Sequence, residues 1–155
     1  MSQEADKSAF YAAMQAELRA IIAGERDLIA NLANGAALLF GNLPQVNWAG
    51  FYLFKEGELV LGPFQGKPAC IRIALGRGVC GTAAAQRRTI VVPDVHRFAG
   101  HIACDCDSNS EIVVPLLADH HLLGVMDVDS SLVQRFDAAD AAGLEGVARI
   151  LLGEN

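Results

Sequence analysis

The residues best suited to chemistry are cysteines, two of which lie close together in a polar stretch. Cys104 and Cys106 fall within residues 96–115, which read HRFAGHIACDCDSNSEIVVP. The Gly, Asp, Ser and Asn content of this stretch predicts a loop, and the apolar run Glu111–Leu117 that overlaps its end predicts a core strand. Function often resides on loops held by a rigid scaffold. The first hypothesis is therefore a reactive thiol on this loop.

The other two cysteines occur earlier in the chain, in different predicted elements. Cys70 lies in a short strand predicted from Ala69 to Ala74, and Cys80 lies in the first turn of a helix predicted from about Val79 to Arg87. The helix dipole and the free N–H groups of a first turn favour a thiolate, so we expect a lowered pKa at Cys80. The preceding loop, Gly76–Gly78, resembles a phosphate cradle only weakly, because it lacks the Lys and Ser/Thr of a P-loop.

A zinc site is an alternative use of the C-x-C pair. His96 and His101 lie near Cys104 and Cys106, but zinc sites usually have two pairs of ligands, and the other two cysteines do not form a second pair. We expect no metal. A disulfide between Cys104 and Cys106 is disfavoured, because their Cα atoms would be about 6.6 Å apart in an extended segment. A bridge from Cys104 to one of the other two cysteines is the more plausible pairing.

Two carboxylates lie on one face of an apolar strand predicted from His121 to Asp129. Alternation puts Leu123, Val125, Asp127 and Asp129 on that face, and Leu122, Gly124, Met126 and Val128 on the other. Burying two carboxylates is costly unless something pairs with them. An alternative is that the strand frays into solvent, which fits Asp129 better than Asp127.

An aromatic strand predicted from Val46 to Lys55 carries Trp48, Gly50, Tyr52 and Phe54 on one face. Such a stripe is usually part of the core. Trp48 and Tyr52, with Gly50 between them, could also form an apolar wall that accepts a ligand.

The elements around these residues predict an α+β fold in a single domain, 1–155. N-terminal helices are predicted within 8–41, with one helix from Ser8 to Ile22 and another from Glu25 to about Phe40. The sheet and the active-site loop occupy 46–130, and a C-terminal helix, with Asp137 as its N-cap, occupies 137–152. Hairpins favour a largely antiparallel central sheet of about six strands covered by helices.

Composition excludes several classes of function. The 155 residues carry a net charge of −6, and nucleic-acid binding depends on clustered Lys and Arg. No apolar run approaches the roughly 20 residues that span a bilayer, and the polar N-terminus is unlike a secretory signal. We therefore expect a cytoplasmic protein with neither a nucleic-acid nor a membrane partner.

Six segments in order resemble one known family: GPFQGKPAC (62–70), GRGVCGTA (76–83), DVH (94–96), GHIACD (100–105), SNSEIVVP (108–115) and GVMDVDS (124–130). Together they are similar to the free methionine-(R)-sulfoxide reductases, a catalytic branch of the GAF-domain fold. The resemblance implies a GAF-like architecture. It also implies thiol-dependent reduction of free methionine (R)-sulfoxide, with no cofactor beyond thioredoxin as the electron donor.

The resemblance also implies a role for each residue. Cys104 corresponds to the nucleophile, Cys70 to the main resolving cysteine and Cys80 to a third redox-active thiol. The family pattern does not require Cys106, for which an incidental exposed thiol is the favoured interpretation. The residues that correspond to the substrate-binding set are Trp48 and Tyr52 around the methyl group, and Glu111, Asp127 and Asp129 around the sulfoxide and the amine.

The resemblance further suggests a homodimer, as do the amphipathic N-terminal helices. The alternative function is a non-catalytic GAF module that binds a small ligand or senses redox state. Such modules usually occur in longer chains beside a signalling domain.

Overall fold

The computed structural model describes residues 3–101 and 107–154. The helices are α1 (Gln3–Ile22), α2 (Leu28–Asn42), α3 (Gly78–Gln86) and α4 (Ala138–Leu151), with one 3-10 turn at Val95–Arg97. The strands are β1 (Trp48–Lys55), β2 (Glu58–Gly66), β3 (Arg72–Ala74), β4 (Ile90–Val92), β5 (Ser110–Ala118) and β6 (His121–Ser130). No helix in these ranges is long and apolar enough to cross a membrane.

The strands form one six-stranded sheet in the order β3-β2-β1-β6-β5-β4, and each strand is antiparallel to its neighbours. Two-residue turns with positive φ at both positions connect β1 to β2 (Glu56-Gly57) and β5 to β6 (Asp119-His120). Such turns match the right-handed twist of paired strands. The predicted α+β fold with an antiparallel sheet of about six strands is confirmed.

Apolar residues are buried on both faces of the sheet. On one face Ala49, Phe51 and Leu53 of β1 pack with residues of α1, α2 and α4. On the other face Trp48 and Tyr52 pack with residues of α3, β3 and β4. The predicted alternation along β1 is therefore confirmed, and the aromatic stripe faces the side of the sheet that carries α3.

The predicted starts of the first two helices are wrong. Helix α1 already begins at Gln3, before the predicted Ser8. Helix α2 begins at Leu28 because Asp27 caps it, with the Asp27 carboxylate accepting the N–H of Ala30 at 2.9 Å. The predicted cap of the last helix is confirmed, since Asp137 forms a reciprocal capping box with the third residue of α4.

The strand predicted from Ala69 to Ala74 is also shorter than expected, because β3 contains Arg72–Ala74 only. Immediately before β3 the Ile71 carbonyl still accepts the N–H of Leu61 in β2 at 2.8 Å, whereas two carbonyls further back accept side-chain donors of β1. The Lys67 carbonyl accepts the indole N–H of Trp48 at 3.0 Å, and the Cys70 carbonyl accepts the Tyr52 hydroxyl at 2.9 Å. Cys70 therefore lies in a loop attached to the aromatic stripe.

The alternation predicted for β6 is wrong at the start of the strand, because the strand contains a β-bulge there. Leu116 of β5 is opposite Gly124, whereas the next residue, Leu117, is opposite Leu122, so Leu123 is an extra residue. Leu122 and Leu123 consequently pack on the faces opposite to those predicted. The prediction holds from Val125 to Asp129, which is the part of the strand that carries the two aspartates.

Candidate active site

One cavity on the α3 side of the sheet brings together six of the eight predicted site residues: Trp48, Tyr52, Cys80, Glu111, Asp127 and Asp129. Its remaining lining residues are Ala69, Ile73, Arg77, Gly78, Val79, His101 and Ser108. These six residues belong to four different elements, namely β1, α3, β5 and β6. The pairing of strands and the packing of α3 on them therefore assemble the site.

Three carboxylates lie side by side on adjacent strands. Glu111 of β5 is directly opposite Asp129 of β6, and Asp127 lies two residues along β6 on the same face. All three are buried, with 7%, 6% and 9% exposure for Glu111, Asp127 and Asp129. Strand β6 continues to Ser130, which is fully buried. The alternative in which the strand frays into solvent is therefore wrong.

Two of these carboxylates, Glu111 and Asp127, have no lysine or arginine partner in the part of the chain that the structure describes. The imidazole of His101 lies close to Glu111, with Nε2 3.8 Å from Glu111 Oε1. Burial, and next the charge of Asp127, raises the pKa of Glu111 well above its usual range. Burial, and next the charge of Asp129, raises the pKa of Asp127 in the same way. The cluster therefore favours holding a proton at neutral pH.

Cys80 lies in the first turn of α3, as predicted, but the predicted lowering of its pKa is wrong. The side chain is 4% exposed and the thiol is free, with Sγ 4.0 Å from Glu111 Oε2. Burial raises the pKa of Cys80 well above its usual value, and the charges of Asp127 and Glu111 raise it further. These effects outweigh the helix dipole, so the thiol is neutral.

Trp48 and Tyr52 belong to the core and also form one wall of the cavity. They are 2% and 1% exposed, and their rings stack with centroids 6.1 Å apart. Phe64 of β2 also stacks with Trp48, with ring centroids 5.2 Å apart. Gly50 makes room for this arrangement, because a Cβ there would collide with Phe64 and Trp48. The two interpretations left open by the sequence are thus compatible.

The predicted thiol partners are only partly within the described residues. Cys70 is half-buried, next in sequence to the cavity-lining Ala69, and it is disulfide-bonded. The predicted nucleophile, Cys104, lies outside the described residues, as does Cys106.

Three polar lining residues were not predicted to belong to this site: Arg77, His101 and Ser108. His101 had been considered only as a zinc ligand. Burial, and next the charge of His96, lowers the pKa of His101, so the ring facing Glu111 is neutral. His96 instead contacts Asn109, with 3.0 Å between Nε2 and Oδ1. Each of the three lies within or next to a segment of the family resemblance, which is the signal that could have indicated it.

The chain is similar to known proteins over most of its length. The model of the GAF domain matches residues 14–151. The free methionine-R-sulfoxide reductase of Escherichia coli is 52% identical over 139 residues, which cover 90% of this chain and 84% of that protein. The corresponding yeast enzyme, from Saccharomyces cerevisiae, is 44% identical over 83% of this chain and 76% of its own length.

Solved structures agree with this relationship. The fRMsr of Staphylococcus aureus in complex with substrate superposes with a TM-score of 0.88 at 50% identity, covering 91% of this chain and 92% of that chain. The Neisseria meningitidis free methionine-R-sulfoxide reductase in complex with its substrate gives a TM-score of 0.90 at 46% identity, covering 97% and 89%. The chain therefore belongs to the GAF-domain family of free methionine-(R)-sulfoxide reductases.

Proposed function

We propose that this protein reduces free L-methionine (R)-S-oxide to L-methionine and is recycled by thioredoxin. The observation that carries the proposal is the cavity in which three buried carboxylates and a stacked Trp-Tyr pair line one space. A zwitterionic substrate with an apolar methylthio end needs both kinds of surface. Membership of the reductase family supports the same reaction.

Recognition of the free amino acid depends on charge. An ionised carboxylate in the cluster pairs with the substrate's α-ammonium, while Trp48 and Tyr52 receive the methyl group. A buried anion without a cation is unfavourable, so the ammonium stabilises the complex by supplying one. A peptide-bound methionine sulfoxide has no free amine at this position, and the enzyme should reject it.

The reducing step needs a thiolate and an acid. The Cys104 thiolate attacks the sulfoxide sulfur while a protonated carboxylic acid of the cluster donates its proton to the oxygen. The raised pKa values of Glu111 and Asp127 suit this acid role. The bond between the two sulfur atoms then breaks as the protonated oxygen passes to Cys104 Sγ, which becomes a sulfenic acid. The sulfur of the departing methionine keeps the electron pair of its former S–O bond.

Recycling restores the thiols. The Cys70 thiol attacks the Cys104 sulfenic acid, which expels water and forms a disulfide. The reduced dithiol of thioredoxin then exchanges with this disulfide and is itself oxidised. The disulfide at Cys70 fits a resolving role, and the buried neutral thiol of Cys80 fits an assisting role better than that of nucleophile. No resident metal or organic cofactor takes part.

The test follows NADPH oxidation in the presence of thioredoxin and thioredoxin reductase. We expect turnover of the free (R) epimer and little turnover of the (S) epimer or of a peptidyl substrate. Cys104→Ser should abolish turnover, whereas the matched variant Cys106→Ser should retain it. Absence of turnover with the (R) epimer would refute the enzyme, and equal rates on all three substrates would refute the specificity.

The same proposal includes the setting of the protein. The chain acts as a homodimer in the cytoplasm, where thioredoxin keeps the thiols reduced. Sedimentation velocity measures the mass of the assembly; a monomer at micromolar concentration would contradict this part and leave the reaction untouched.

A further inference from the structure

The cavity contains a cluster of side chains of the types that bind metal ions. The proposed reaction uses these side chains in other roles. Cys80 Sγ and one carboxylate oxygen each from Glu111 and Asp127 all lie within 4.8 Å of one another, and all three residues are buried. They come from α3, β5 and β6, so three regular elements hold them in place.

Two further observations point to a missing cation. Asp127 Oδ1 is buried and has no hydrogen-bond partner within the described residues, in a side chain that is only 6% exposed. In addition, no lysine or arginine of those residues forms an ion pair with Glu111 or Asp127. A buried carboxyl group without a cationic partner either keeps a proton or coordinates a metal ion.

We propose that Cys80, Glu111 and Asp127 bind a Zn²⁺-type divalent cation, with His101 as a further ligand. A thiolate among the ligands selects zinc, cobalt or cadmium over magnesium and calcium, which prefer oxygen alone. Tetrahedral zinc holds its ligand atoms about 3.5 Å apart, so small side-chain rotations close the observed spread. Cys80 binds as the thiolate and Glu111 and Asp127 bind as carboxylates, so any proton held by these three groups is released to solvent.

His101 extends the site toward the cavity opening. Its Nε2 lies 3.8 Å from Glu111 Oε1, and the side chain is 16% exposed. The cation is an occupant of the site and not a cofactor of the reaction. One consequence rests on the proposed function: the cation and the substrate ammonium would compete for the same carboxylates, so Zn²⁺ would raise KM and leave kcat unchanged.

The test uses Co²⁺ as a spectroscopic probe, with Zn²⁺ competition against a chromogenic chelator to measure stoichiometry. The chelator-treated wild type should bind one ion per chain and show a thiolate-to-cobalt charge-transfer band. Cys80→Ser should lose the band, and Asp127→Asn should bind at least tenfold more weakly. Neither readout requires turnover, so failure of the metal site is distinguishable from failure of the reductase.

Matched controls make the outcome decisive. Cys106→Ser and Asp119→Asn change the same residue types outside the proposed ligand set, and both should bind as the wild type does. A band that survives in Cys80→Ser, or that disappears in Cys106→Ser, would overturn the proposal. X-ray absorption of the zinc-loaded wild type is independent of any variant's folding, and a shell of oxygen and nitrogen without sulfur would also overturn it.

Discussion

Replacing Asp127 by asparagine should stabilise the protein above neutral pH while removing its proposed activity. The carboxylate is 6% exposed, beside Glu111 and Asp129, and is not paired with a lysine or arginine of the described residues. Asparagine has almost the same shape and cannot ionise, and its amide can donate hydrogen bonds to the neighbouring carboxylates. The substitution removes an electrostatic cost and also removes an acidic group that the reaction needs.

The sign of the pH dependence follows from the raised pKa of Asp127 in the folded protein. Above about pH 4 the unfolded chain releases this proton and the folded chain keeps it. The stabilisation is therefore complete below about pH 4 and is lost as the pH rises through the folded-state pKa. Between about pH 4 and the folded-state pKa, the free energy of unfolding falls by about 1.4 kcal/mol per pH unit for each proton that the folded protein retains.

Glu111 contributes in the same direction because its pKa is also raised. Where both acids retain protons, their joint contribution to the wild-type slope approaches about 2.8 kcal/mol per pH unit, and Asp127→Asn should lower that contribution to about 1.4 kcal/mol per pH unit. The variant should be more stable than the wild type at the upper end of this range.

Urea unfolding in the presence of a reductant, from about pH 5 to about pH 8, measures these slopes. Trp48 is the sole tryptophan and lines the site, so its fluorescence reports the transition. The control is Asp119→Asn, an exposed aspartate at the turn of the same β5–β6 hairpin, which should leave the slope unchanged. Equal slopes in wild type and Asp127→Asn, or a less stable variant at high pH, would refute the reasoning.

Three further predictions concern other residues. Native Cys80 should resist iodoacetamide, because its thiol is buried with a raised pKa; peptide mapping by mass spectrometry should find it alkylated only after unfolding. Gly50→Ala should lower the free energy of unfolding by about 3 kcal/mol in urea titrations, since its Cβ would collide with Phe64 and Trp48. Asp140→Ala should cost about 3 kcal/mol in the same assay, because this buried carboxylate joins α1 to α4.

Each of these has a control within the chain. Gly41→Ala should not destabilise, because nothing lies within 4 Å of the added Cβ in that helix; equal losses at Gly41 and Gly50 would contradict the packing argument. The Tyr11 hydroxyl donates a hydrogen bond to Asp140 Oδ1 at 2.8 Å, and Lys7 Nζ lies 2.7 Å from Asp140 Oδ2, so the carboxylate keeps its lysine partner when the hydroxyl is removed. Tyr11→Phe should therefore cost only about 1 kcal/mol. Rapid alkylation of native Cys80 would mean that its thiol is accessible.

Much of the fold follows from patterns that are local in the sequence. Strand alternation predicted that Trp48 and Tyr52 share one face of β1 and that Asp127 and Asp129 share one face of β6, and the structure confirms both. Turn and cap residues predicted the hairpins and the start of α4 at Asp137. These predictions succeed because a backbone period of two and a capping hydrogen bond involve residues that are near in sequence.

Tertiary structure decided what no local pattern contains. The cysteine of α3, Cys80, was expected to have a lowered pKa from its helix position, yet burial, and next the charges of Asp127 and Glu111 on other elements, raise that pKa. Strand β3 begins only at Arg72, and in the segment before it the carbonyls of Lys67 and Cys70 accept side-chain donors from Trp48 and Tyr52 of β1.

The candidate site shows the same division. Sequence by itself determined which residues could serve: the cysteines, the aspartates on one strand face, the aromatic stripe and the segments of the family resemblance. Only strand pairing placed Glu111 opposite Asp129, and only the packing of α3 placed Cys80 4.0 Å from Glu111. The electrostatic character of a buried group depends on its distance to other groups and to solvent, and folding sets both.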